Sequence, residues 1–133
     1  MVIASFFLPG GDDYYRYYLP FSEGCFKCGF IPYFAYWILW PIKFIPFALG
    51  WPAWTAISLA GWLAACWILK ENPLLVILAF PFFGQIWLGQ IDVIICIGLV
   101  LALMGKNPFV RGAGFTLALI KPQFAIIPLV FLL

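Results

Sequence analysis

Histidine is absent from this chain of 133 residues, and only 9% of the residues are charged. The first absence removes the commonest general base and metal ligand, so acid–base chemistry would fall to Asp, Glu, Lys, Tyr or Cys. The net charge of only +2 is scattered along the chain, which excludes nucleic acid as a partner. No spacing of ligating side chains indicates a metal site, and we expect neither a metal nor a cofactor.

Hydrophobic side chains are what the chain has in excess. They make up 66% of the residues, 21% of all residues are aromatic, and the mean hydropathy is +1.09. A soluble domain of this length would have too little polar surface to remain in solution. The composition therefore predicts an integral membrane protein.

The four cysteines divide into two kinds. Cys66 and Cys96 lie within apolar runs and are expected to be small buried side chains. Cys25 and Cys28 form a lone CxxC in a polar segment, which fits a redox pair, a local disulfide or half of a zinc site. A zinc site would need a second pair of ligands, and none is visible.

Prolines, glycines and charges divide the apolar sequence into segments. We predict an all-α polytopic membrane protein, a single membrane domain over residues 1–133 with about four transmembrane or re-entrant helical segments. Both ends stop close to apolar runs, so we expect a chain truncated at both ends. The predicted parts are an outer polar loop at 9–28, a kinked interfacial or re-entrant segment at 29–50, a transmembrane helix at 52–69, a helical hairpin at 73–104 with a polar hinge at 84–92, and a last helical segment at 112–133.

The distribution of basic residues predicts an orientation. Lys70, Lys106 and Arg111 fall on one side if 73–104 returns as a hairpin, and the positive-inside rule places that side in the cytoplasm. The polar segment 9–28 and the hinge 84–92 would then both face outward.

Two adjacent carboxylates, Asp12 and Asp13, are the candidate bases. A carboxylate beside aromatic rings can take a proton from a sugar hydroxyl, since partial burial raises its pKa toward working pH. The alternative is a solvated Gly-Gly-Asp-Asp turn, because turns favour both residue types.

The predicted hinge carries three further polar side chains, Gln85, Gln90 and Asp92. Amides within a membrane protein often hydrogen-bond to neighbouring helices. They can equally line a sugar pocket, since an amide both donates to and accepts from hydroxyls. Both interpretations remain open from the sequence alone.

Lys121 interrupts the last apolar segment and is followed by Pro122 and Gln123. A helix that begins at Gly112 would place Lys121 about 14 Å deep. An ammonium at that depth needs a partner, such as Asp92 or a bound phosphate, unless it snorkels to an interface. Arg16 suits a lipid phosphate at the surface, or simple interfacial anchoring.

These landmarks together resemble glycosyltransferase family 87, membrane enzymes of the GT-C fold that use polyprenyl-phosphate sugars. No single tetrapeptide is specific, but the order and the spacing are. The matching pieces are Gly11 to Tyr15, Pro32-Tyr33, Gly89 to Asp92, Arg111 to Gly114, and Ile120 to Gln123.

The resemblance implies an inverting transfer of a mannose-like sugar on the outer face of the membrane. The protein would be a multi-pass protein of the plasma (inner) membrane of a prokaryote. Either Asp12 or Asp13 would be the general base, and we prefer Asp12 slightly because it directly follows the glycine pair. Lys121 would stabilise charge in the cavity and Gln90 would help to shape it. Our full set of candidate substrate-binding residues is Arg16, Gln85, Gln90, Asp92, Lys121 and Gln123.

The resemblance covers nearly all of this chain but only the N-terminal third of the family's longer proteins. A polyprenyl tail needs a groove between helices, so we expect the chain alone to be inactive. Membrane lipid, the polyprenyl-phosphate sugar and other membrane helices are the expected partners. One alternative is a small non-catalytic subunit or pseudoenzyme that packs against other helices, and another is a transporter fragment.

Overall fold

Helices account for the regular secondary structure in a computed structural model of the chain. It describes residues 2–74, 78 and 80–130, with the backbone alone at 80, 81 and 127–129. Within these residues there is no β-strand, which confirms the all-α prediction. The helices are α1 at 12–22, α2 at Tyr36–Leu39, α3 at Phe47–Leu69, α4 at Phe80–Leu88, α5 at Asp92–Met104, α6 at Pro108–Ala118 and α7 at Pro122–Val130.

Helix α3 is long and apolar enough to cross a membrane. Its 23 residues span about 35 Å, and it is the only described helix that meets both criteria. The helix predicted at 52–69 begins five residues earlier in the structure, directly after the extended Pro46, and it contains Pro52 in its second turn. The apolar helix α5 has only 13 residues. The count of about four membrane segments therefore stays a prediction.

The segment expected to be an outer loop at 9–28 contains helix α1. Its middle, Tyr14–Tyr18, is π-helical. Gly10 and Gly11, directly before the helix, are not helical. Tyr14 and Tyr18 are buried, whereas Arg16 and Tyr17 are exposed. The helix forms because the two buried tyrosines lie on one face, which packs into the core.

The segment at 29–50 consists of short turns of helix. Two 3₁₀ turns, Tyr33–Ala35 and Trp40–Phe44, flank the single turn of α2. Pro41 lies within the second turn and Pro46 precedes α3, so no continuous helix can form here.

The two remaining predicted segments have different boundaries in the structure. The break between α4 and α5 covers only residues 89–91, so Gln85 lies inside α4. Helix α6 begins before Gly112, at Pro108, because the Asn107 side chain accepts a hydrogen bond from the Phe109 amide at 2.8 Å. The parts of these predictions at 75–77, 79 and 131–133 lie outside the described residues.

Helices α5 and α6 pack with their backbones in direct contact. A Cβ added to Gly114 would lie 2.4 Å from the amide nitrogen of Ala102. A Cβ added to Gly98 would lie 2.6 Å from the amide nitrogen of Ala118. Small residues therefore hold α6 against α5, and the link after α6 returns to the start of α5.

Candidate functional site

Two glycines bring the start of α1 against the break between α4 and α5. Gly11 and Gly89 both have a φ of +74°, a conformation that favours glycine. The Gly11 amide donates to the Trp87 carbonyl at 2.8 Å. A Cβ on Gly89 would lie only 3.0 Å from the Gly11 Cα. These contacts join two parts of the chain that are far apart in sequence.

Aromatic side chains hold the backbone of the break in place. The Trp54 indole of α3 donates to the Gly89 carbonyl at 2.9 Å. The Tyr18 hydroxyl of α1 accepts a hydrogen bond from the Ile91 amide at 3.3 Å. The backbone of the break is thus tied to α3 at Gly89 and to α1 at Ile91, which fixes where the side chains that follow can reach.

Four polar side chains form a continuous network at this point. Gln90 Nε2 donates to Asp13 Oδ2. Lys121 Nζ donates to Gln90 Oε1 at 2.6 Å and to Asp92 Oδ1 at 2.8 Å. We call Asp13, Gln90, Asp92 and Lys121 the polar network. The structure thus brings together four of the residues that the sequence marked as candidates.

Lys121 reaches the network by a different route from the one predicted. Helix α6 ends at Ala118, so Lys121 lies in the short link before α7 and is not carried by a helix that began at Gly112. The depth calculated for a continuous helix therefore does not apply. Its predicted partner is nonetheless present, since Lys121 and Asp92 form an ion pair whose side chains are only 21% and 17% exposed.

The network opens onto a cavity of about 440 Å³, which we call the polar cavity. A larger concavity, of about 670 Å³, lies at the end of α3 beside Pro73, where Lys70 and Glu71 are its charged residues. We place the candidate site in the polar cavity, because three of the four network residues, Asp13, Gln90 and Lys121, line it. Its lining is Asp13, Tyr17, Tyr18, Lys27, Cys28, Gly29, Phe30, Ile31, Gln90, Lys121 and Gln123.

The surroundings of the Asp13 carboxyl shift its pKa. Burial raises its pKa above the ordinary value of 3.8, and the Asp12 and Asp92 carboxylates raise it further. The Lys121 ammonium and the hydrogen bond from Gln90 act in the opposite direction. Burial dominates, so Asp13 binds a proton more readily than an exposed aspartate.

Asp12 has a different environment from its neighbour. It forms an ion pair with Arg16 at 2.9 Å, four residues along α1, and both side chains are at least half exposed. Neither residue lines the polar cavity. Of the two adjacent carboxylates, only Asp13 therefore lines the polar cavity, whereas our slight preference from the sequence was Asp12.

Gln85 and Gln123 line different concavities. Gln123 lines the polar cavity with Lys121. Gln85 lines a separate concavity of about 250 Å³, which it shares with Asp92. The backbone carbonyl of Gln85 also accepts from the Gln90 amide at 2.9 Å. Gln85 therefore supports the break and does not line the polar cavity.

One wall of the polar cavity was missed from the sequence. Cys25 and Cys28 form a disulfide, and the chain from Lys27, inside the disulfide loop, to Ile31 lines the cavity. Tyr17 and Tyr18 also line the cavity, and neither was a candidate from the sequence. The four-residue spacing of Tyr14 and Tyr18 was the signal that one tyrosine face turns inward.

The chain matches the family model described as Glycosyltransferase family 87 over residues 31–133. The chain belongs to glycosyltransferase family 87. The matched part includes Gln90, Asp92, Lys121 and Gln123, whereas Asp12 and Asp13 precede it. The recognised family and the membrane-compatible helix α3 identify a membrane glycosyltransferase. No curated protein and no solved structure matches the chain.

Proposed function

We propose that this family 87 protein transfers a mannose-like sugar from a polyprenyl phosphate to an acceptor hydroxyl, with Asp13 as the general base. The observation that carries the proposal is the polar network, of which Asp13, Gln90 and Lys121 line the polar cavity. It combines a carboxylate of raised pKa with an ammonium group in one partly enclosed space.

One carboxylate oxygen of Asp13 is available to bind the hydroxyl of the sugar acceptor. Its Oδ2 accepts from Gln90, and it makes no other side-chain hydrogen bond among the described residues. The Oδ1 atom can therefore accept a hydrogen bond from the incoming hydroxyl. The hydroxyl oxygen forms the new bond to the anomeric carbon, its proton passes to Asp13, and the bond from that carbon to the phosphate oxygen breaks.

Two cations of the polar cavity suit the departing phosphate. An ammonium has three N–H groups, and Lys121 uses two of them for Gln90 and Asp92. Its third N–H is available to a phosphate oxygen. Lys27 lines the same cavity and adds a second positive charge. Phosphate needs no general acid, so orientation and charge stabilisation are the remaining tasks of the protein.

The proposal also includes the membrane domain, its orientation and the source of the sugar donor. Residues 1–133 form a single membrane domain, the polar cavity faces outward, and the membrane supplies the polyprenyl-phosphate sugar. A non-catalytic subunit that packs against other helices is the competing function. It predicts that the protein is recovered with a larger membrane complex and transfers no sugar itself.

The test is sugar transfer from radiolabelled polyprenyl-phosphate mannose in membranes that contain the complete protein. We expect Asp13→Asn to lower transfer at least about 100-fold, the usual contribution of a general base. Asp12→Asn is the matched control and should retain transfer within about threefold, because Asp12 lies outside the cavity. Full activity of Asp13→Asn would refute the proposed base.

A further inference from the structure

Tyr18 is a buried polar side chain for which the proposed mechanism has no use. It is only 4% exposed, and it lines the polar cavity together with Asp13, Gln90 and Lys121. A tyrosine that only filled the core would be replaced by phenylalanine without loss. The position of the hydroxyl therefore calls for a separate explanation.

The hydrogen bonds of this hydroxyl are incomplete. Its oxygen accepts from the Ile91 amide at 3.3 Å, but its O–H group donates to no acceptor among the described residues. A buried hydroxyl normally donates as well as accepts. Burial also raises the pKa of Tyr18, so the hydroxyl keeps its proton at neutral pH.

The hydroxyl is held rigidly. The Tyr18 ring packs against Trp54 with their centroids 5.8 Å apart, and the Trp54 indole donates to the Gly89 carbonyl at 2.9 Å. The tyrosine is therefore fixed to the same backbone break that carries Gln90 and Asp92. A donor fixed in this way loses little freedom when it binds a ligand.

We propose that the Tyr18 hydroxyl donates a hydrogen bond to an oxygen of a substrate bound in the polar cavity, so that Tyr18 is a further substrate-binding residue. The inference rests on the proposed function, since it takes the cavity to hold sugar substrates. The shared chemistry is an oxygen lone pair, which either the polyprenyl-phosphate sugar or the sugar acceptor can supply. The two sources are distinguished by measuring each one separately.

The test compares Tyr18→Phe with Tyr14→Phe in the complete protein in detergent. Tyr14 is the matched control, because its hydroxyl is fully buried, has no partner among the described residues and does not line the cavity. Short-chain polyprenyl-phosphate mannose and octyl mannoside are titrated separately by calorimetry. We expect Tyr18→Phe to weaken the binding of one compound by about two- to tenfold. Tyr14→Phe should leave both dissociation constants unchanged.

Tyr18 also supports the Ile91 amide, so a purely structural effect must be recognised. If the break merely shifted, Gln90 would move relative to Asp13, and the acid limb of the pH–rate profile would move with it. We expect KM for the affected substrate to rise while that limb stays in place. Unchanged binding of both compounds by Tyr18→Phe, or a shifted acid limb with unchanged KM, would overturn the inference.

Failure of this inference and failure of the proposed function give different results. A wild-type protein that binds the compounds but transfers no sugar would refute the transferase proposal and leave the Tyr18 result to be judged by binding. A wild-type protein that transfers sugar while Tyr18→Phe binds both compounds normally would refute only the Tyr18 inference. Binding of neither compound by the wild type would overturn both.

Discussion

The carboxylate of Asp13 and the ammonium of Lys121 are joined through one side chain, the amide of Gln90. The amide donates to Asp13 with its nitrogen and accepts from Lys121 with its oxygen at 2.6 Å. Each end of the amide has one possible role, because a carboxylate cannot donate and an ammonium cannot accept. The relationship links the acid–base properties of Asp13 to the position of Lys121.

The first prediction concerns the pH dependence of sugar transfer. Transfer should fall as pH falls through the raised pKa of Asp13, since protonation removes the base. Lys121 lowers this pKa and Asp12 raises it. The acid limb of kcat/KM should therefore move to higher pH in Lys121→Gln and to lower pH in Asp12→Asn. If the acid limbs of the two variants moved in the same direction, or if neither moved, Asp13 would be excluded as the titrating group.

The second prediction concerns stability. A carboxyl whose pKa is raised on folding favours the folded state fully below about pH 3.8, and this contribution is lost as pH rises through the folded-state value. The ionised carboxylate is therefore a cost at neutral pH, and Asp13→Asn should raise the Tm at pH 7 but much less near pH 4. Thermal unfolding in detergent at pH 7 and near pH 4 measures the two changes in Tm. Asp12→Asn, at an exposed ion pair, should change the Tm little at either pH.

The third prediction concerns the ion pair of Lys121 and Asp92, whose nitrogen and oxygen are 2.8 Å apart. Because both side chains are mostly buried, Lys121→Met and Asp92→Asn should each lower the free energy of unfolding by about 3 kcal/mol, the lower end of the cost of breaking a buried ion pair. The double variant should lose less than the two single losses together, with a coupling of about 1 kcal/mol. Additive losses would mean that the pair contributes no coupling.

The fourth prediction concerns the two glycines that join α1 to the break. Gly89→Ala should destabilise the fold by at least about 1–2 kcal/mol, because φ is +74° and the new Cβ would crowd Gly11 and Tyr14. Gly84→Ala is the control, since a Cβ there meets nothing within 4 Å in helix α4. It should be neutral or stabilising by up to about 1 kcal/mol. Equal behaviour of the two variants would contradict the close approach.

Much of the polar network could be predicted from the sequence, because charges are costly in an apolar protein. That cost predicted a partner for Lys121, and Asp92 was named as one. The sequence analysis did not separate Asp13 from Asp12, because it treated 9–28 as a loop, whereas adjacent side chains of a helix point about 100° apart. The i, i+4 spacing of Asp12 and Arg16 was a usable signal, because it assigns Asp12 to the exposed face.

Segment boundaries were less accurate where local signals competed with hydropathy. Asn107-Pro108 is a cap followed by a proline in the first turn, and it starts α6 before the apolar run at Gly112. The polar composition of 9–28 concealed α1, whose formation depends on the burial of Tyr14 and Tyr18 against Trp54. Such tertiary packing leaves little trace in local composition.

The most direct test of the account is an experimental structure of the complete protein with polyprenyl-phosphate mannose bound. The account predicts the sugar in the polar cavity beside Asp13 and the phosphate within hydrogen-bonding distance of Lys121. Density for the phosphate in the concavity at the end of α3, beside Lys70, with the polar cavity empty, would contradict it.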